Sequence, residues 1–103
     1  MAQGPMKADY QSPVTCKGWG TYSGSITLDN ALVAGRIVRA RFGSSGAYQK
    51  LFVMNSYNNE FMAFSTTAGN IQVNFTDATH ITVQCPSGYE LRDLVYFPLP
   101  RLI

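Results

Sequence analysis

The chain has 103 residues, 46% of them hydrophobic, 14% charged and 13% aromatic, with a formal net charge of +2. That length sets one domain with a core of its own, and so slight a charge excess does not by itself direct the chain to nucleic acid or to an anionic membrane. No run approaches the ~20 apolar residues of a membrane span, and Met1 to Tyr10 holds no apolar h-region, so nothing here directs classical secretion.

Residues 1–12 read as a flexible N-terminal segment or an expression remnant. Pro13 to Cys16 reads as a short opening strand, broken by Lys17-Gly18. From Tyr22 the chain alternates, with Tyr22, Gly24, Ile26 and Leu28 on one face and Thr21, Ser23, Ser25 and Thr27 on the other. A period of two predicts a strand with one face on a core and a hydroxyl-rich face in water, usual for antiparallel sheets. Asp29 to Gly35 loses the alternation and predicts a loop that tucks Leu32 or Val33 inward. Arg36 to Phe42 restores it, with Val38, Ala40 and Phe42 inward and Ile37, Arg39 and Arg41 outward. Gly43-Ser44-Ser45-Gly46 then predicts a hairpin loop and Tyr48 to Met54 its returning strand.

Asn55 to Asn59 is a polar turn. Glu60 to Ser65, Ile71 to Phe75, His80 to Cys85 and Tyr89 to Phe97 read as further strands, separated by Thr66–Asn70, Asp77–Thr79 and Pro86–Gly88. Ile71, Val73, Phe75, Ile81, Val83 and Cys85 are expected to face the core. About seven to eight short strands at roughly ten-residue spacing, with no helical repeat, predict an all-β fold. An antiparallel, jelly-roll-like β-sandwich over residues 13–97 is favoured, with an OB-like barrel as the alternative. Residues 98–103 form a proline-containing apolar arm. Pro98 and Pro100 cannot donate ladder bonds, while Leu99, Leu102 and Ile103 are too apolar to hang free, each worth about 1.5–3 kcal/mol on burial. They are expected to dock on the domain itself or at an oligomer contact.

The β-region from about Cys16 to Phe97 resembles the small all-β modules at the ends of bacteriophage tail fibres and related tail receptor-binding proteins. The matching residues are Trp19, then Tyr22-Ser23-Gly24-Ser25-Ile26-Thr27-Leu28, the Asp29-Asn30 turn, and the strand Ile37 to Phe42 that breaks in Gly-Ser. Ile71 to Phe75, His80 to Val83 and the closing Leu91-x-x-Leu94-Val95-Tyr96 complete them. The chain departs from such modules in bulky residues flanking its first strand and in the arm after Phe97. The resemblance implies a homotrimeric fibre end, made in the bacterial cytoplasm and carried on the virion tail. It would adhere to a bacterial surface saccharide without enzymatic chemistry.

Sugar binding needs aromatic faces and amide or carboxylate groups, and little net charge. Tyr57 with Asn55, Asn58 and Asn59 is the best cluster of that kind, and Tyr48 beside the Gly43–Gly46 loop and Tyr89 beside Ser87-Gly88 are further ligand-binding candidates. Trp19 is expected in the core or covering an edge. Arg39 and Arg41, with Lys50 on the next strand, would suit single-stranded nucleic acid in an OB-like module, although outer-face arginines more often meet solvent or pair. A ligand-free trimerisation or assembly domain, acting through the arm, is the third alternative. His80 stands alone, no two carboxylates are marked as a glycosidase pair, and the Asn74-Phe75-Thr76 sequon lies in a strand. No catalytic residue, metal or cofactor is therefore expected. Cys16 and Cys85 lack Cys-x-x-Cys spacing and are expected reduced and buried, a disulfide requiring their strands to be neighbours.

Overall fold

The computed structural model describes residues 8–55 and 60–102. Among them lie ten strands: β1 (Ala8–Asp9), β2 (Val14–Lys17), β3 (Gly24–Thr27), β4 (Ile37–Phe42), β5 (Tyr48–Val53), β6 (Glu60–Thr66), β7 (Gly69–Phe75), β8 (His80–Gln84), β9 (Leu91–Phe97) and β10 (Arg101–Leu102). Eight of them build two four-stranded antiparallel sheets, ordered β2-β9-β4-β5 and β3-β8-β7-β6. The expected sandwich is therefore the fold. Both sheets keep open edges, so the barrel alternative is corrected: among the described residues β2, β5, β3 and β6 each lack a neighbour on one side. As in a jelly roll, the opening strands pair with the closing ones, β2 with β9 in one sheet and β3 with β8 in the other. Between them run the β4–β5 hairpin and the β6-β7-β8 meander.

Alternation decides which side chains meet. From the first sheet Cys16, Val38, Ala40, Phe42, Leu91 and Leu94 point inward, and from the second Ile26, Ile71, Val73, Phe75, Ile81 and Val83; all are buried in one cluster. Rings cross between the sheets, Phe42 meeting Phe64 edge-on at 5.3 Å and Phe52 meeting Phe75 at 5.2 Å, geometries that aromatic quadrupoles favour. The 28–35 connection contributes Leu28 and Leu32, both buried. It is tied down by Leu28 N–H to the Thr79 carbonyl at 2.7 Å, Asp29 N–H to that of Cys16 at 2.7 Å and Leu32 N–H to that of Ala78 at 2.8 Å.

After Phe97 the chain leaves the sheet, as Pro98 and Pro100 require, and β10 pairs with β1. Arg101 Nη2 donates to Asp9 Oδ2 at 2.7 Å across this two-residue ladder. The arm thus meets the N-terminal segment of its own chain. Leu99 remains 60% exposed, Leu102 stands opposite Ala8 in register, and Ile103 lies outside the described residues.

Candidate functional site

Tyr48 opens β5 and Tyr89 precedes β9, yet the fold brings them together at one end of the sandwich. Their ring centroids are 5.1 Å apart and their planes tilted by 58°. The loops that carry them are joined by Gly43 N–H donating to the Glu90 carbonyl at 3.0 Å. Gly43 and Gly46 both hold positive φ, +89° and +67°, which non-glycine residues enter at a cost, so this turn is written into the Gly-Ser-Ser-Gly sequence. Thr67, from the β6–β7 turn of the other sheet, places its hydroxyl 3.3 Å from that of Tyr89. Hydrogen bonds from Thr67 and from Tyr48 stabilise the Tyr89 phenolate and lower its pKa, whereas the bond to Tyr89 raises that of Tyr48. Two tilted aromatic faces beside a hydroxyl cluster can stack on the C–H faces of a sugar ring and bond its hydroxyls.

On the far side of the same turn stands Trp19. It is 50% exposed, so of the two places expected of it, in the core or covering an edge, the core is excluded, and its ring lies against Gly46: a Cβ placed there would come within 3.0 Å of the indole. The guanidinium of Arg41 sits 5.2 Å from the ring centroid and that of Arg92 4.8 Å, within cation–π range. Arg92 gets there through a register shift in β9, where Phe42 pairs with Leu91 but Arg41 with Asp93. One extra residue on the bulged strand re-aims a side chain. Asp93, 5% exposed, receives Arg41 through Nε at 2.8 Å and through Nη2, while Arg39 Nη2 stands 3.9 Å away. This bidentate pairing raises the Arg41 pKa and fixes its side chain. Arg39 and Arg41 therefore pair, the more ordinary of their two expected roles. Lys50 is not with them: it stands opposite Ala40, on the inner face, where its ammonium lies 4.9 Å from the Phe64 ring.

A groove of about 400 Å³ lies at the opposite end, on the outer face of the second sheet, lined in part by Ser25, Thr27, Thr76, Asp77, His80 and Thr82. His80 is not alone as expected. Its Nδ1 stands 2.8 Å from Asp77 Oδ1, and the backbone N–H of Thr79 donates to the same oxygen at 2.9 Å. That backbone bond first, then His80, lowers the Asp77 pKa. The face is polar and hydroxyl-rich, as the β3 alternation predicts, but holds no Tyr, Trp or Phe among its described lining residues.

Tyr57, Asn58 and Asn59 lie outside the described residues, and of that cluster Asn55 is described, exposed just after β5. Both cysteines are free, Cys16 buried and Cys85 half-buried, and no group of three metal-ligating side chains occurs among the described residues. Sequence reasoning missed Arg92, Asp93 and Asp77. The first two depend on a bulge and on pairing across 52 residues of chain; Asp77 carried a local signal, an Asp-x-Thr-His turn in which the carboxylate caps the Thr79 N–H. Comparison with protein-family models, with curated proteins and with solved structures finds no match for this chain.

Proposed function

We propose that the protein is a non-enzymatic recognition module of a bacteriophage tail, which binds a bacterial surface saccharide at the loop end built by Tyr48, Tyr89 and Thr67. The observation that carries this reading is the Tyr48–Tyr89 pair at 5.1 Å: two tyrosines from distant parts of the chain converge, partly exposed, beside a hydroxyl. Such convergence costs side-chain freedom and leaves phenol faces in water, an arrangement suited to stacking on a ring. Saccharide recognition needs little net charge on the protein as a whole, and the chain carries only +2. The tail setting rests on the resemblance of residues 16–97 to fibre-end modules, which also suggests a homotrimer; apolar side chains left exposed at Ile37, Leu51, Val53 and Leu99 support self-association.

The test is a panel of bacterial O-antigen and capsular oligosaccharides probed with the wild type and with Tyr89→Ala and Tyr48→Ala. Removing either ring is expected to weaken binding about tenfold, the size of a lost aromatic stacking contact, and the oligosaccharides are expected to keep their length on incubation. A wild type that retains no saccharide, or variants that bind as well as it does, would overturn the reading.

A further inference from the structure

We propose that the saccharide is acidic, and that Trp19 with Arg92 forms the subsite for a carboxylate-bearing sugar. This deepens the glycan reading and rests on it. Arg41 and Arg92 lie on the Trp19 ring and Arg39 stands beside Asp93, the one anion paired with this group among the described residues. Three positive charges and one negative leave a local excess equal to the whole net charge of the chain, +2, so the molecule's surplus is gathered at one place. Asp93 is taken by Arg41 in a bidentate pair, with Arg39 on its flank. Arg92 has no carboxylate within ion-pair distance among the described residues, and its Nε is buried without an acceptor.

A guanidinium held against an indole ring and lacking an anion is a pre-formed carboxylate receptor. Its planar fork matches two carboxylate oxygens, and the half-exposed ring beside it offers a stacking face for the sugar that carries them. The Gly43–Gly46 turn joins this subsite to the tyrosine pair, since Gly46 touches Trp19 and Gly43 lies beside Tyr48. A chain of two or more sugar units can therefore run from neutral stacking on the tyrosines to charge recognition at Arg92.

Trp19 is the single tryptophan of the chain, so its fluorescence reports on this place alone. The protein is titrated with tetragalacturonate and with trisialic acid, each against its carboxyl-reduced form. The expected result is saturable change of the emission by the acidic forms, binding that weakens as salt rises, and loss of about tenfold in affinity for Arg92→Gln, the size of one charge-assisted hydrogen bond. Arg36→Gln removes the same unit of charge away from the ring and is expected to bind as the wild type does. Equal affinity for acidic and reduced forms, or equal losses for the two arginine variants, overturns the acidic subsite while leaving saccharide binding intact. Failure of every saccharide, acidic or neutral, overturns both readings. A Tyr89→Ala variant that still binds the acidic forms at wild-type strength also overturns the continuous site.

Discussion

At the scale of single residues, the thiol of Cys16 shows how burial becomes a dependence on pH. Its side chain has no accessible surface, and burial pushes its pKa from 9.0 up to about 11, because an apolar surrounding disfavours the thiolate. In the unfolded chain the thiol ionises near the lower value. The folded protein therefore holds one more proton between the two, and stability must fall as pH rises through that window while staying level below it. Thermal unfolding of the wild type and of Cys16→Ala from pH 7 to pH 10.5 is expected to show a gap that narrows as pH rises, and iodoacetamide at pH 8 to spare Cys16 in the folded protein. A gap constant over that range would mean the thiol titrates alike in both states. The inward direction of Cys16 follows from the β2 region alone. That Asp93 is buried does not, since a carboxylate in an outer-face position is ordinarily solvated, and only the register that sets it against Arg41 makes its burial tolerable.

At the scale of elements, the β4–β5 hairpin was the most legible part of the chain. Alternation gave the buried faces of β4, and two glycines gave the turn. Illegible were the strand that pairs with β4 on its other side and the bulge in β9, because register between distant strands leaves no mark in a single sequence. The same distinction separates the site residues: Tyr48 and Tyr89 were visible as aromatics beside glycine turns, but their meeting was not. The turn offers a direct test. In Gly46→Ala the left-handed φ of +67° costs about 1–2 kcal/mol, and the new methyl would stand 3.0 Å from the indole of Trp19. Gly88→Ala carries similar backbone strain, φ +89°, with nothing near the added carbon. Urea unfolding is expected to show comparable losses for the two variants, while only Gly46→Ala shifts the tryptophan emission. An unshifted emission in Gly46→Ala would show that Trp19 does not rest on the turn.

At the scale of the molecule, the outer face of the first sheet leaves apolar side chains in solvent. Val53, Ile37 and Phe97 form one row across β5, β4 and β9, and Leu51, Arg39 and Val95 the next. Leu51 is 61% exposed, with Ile37 and Val53 close behind it. Single exposed apolar side chains are ordinary, but a contiguous strip reaching an open sheet edge is a contact surface in waiting. Leu99, beyond Pro98, is a further exposed apolar side chain, 60% accessible. Covering a half-exposed Leu, Ile or Val recovers about 1 kcal/mol each, which in a closed ring is gained by every protomer. Together with the fibre-end reading proposed above, this strip leads to the expectation that light scattering on the eluting peak gives three times 11.3 kDa for the wild type over a range of concentrations. Leu51→Lys should return the mass to a single chain without loss of the folded near-UV signal, since its side chain lies outside the core. Deleting residues 98–103 should weaken self-association less, because among the described residues β10 pairs with β1 alone and the segment shows Leu99 as its one exposed large apolar side chain. A wild type of one chain mass at every concentration would leave the strip to another partner, and the proposed saccharide site would then act one copy at a time.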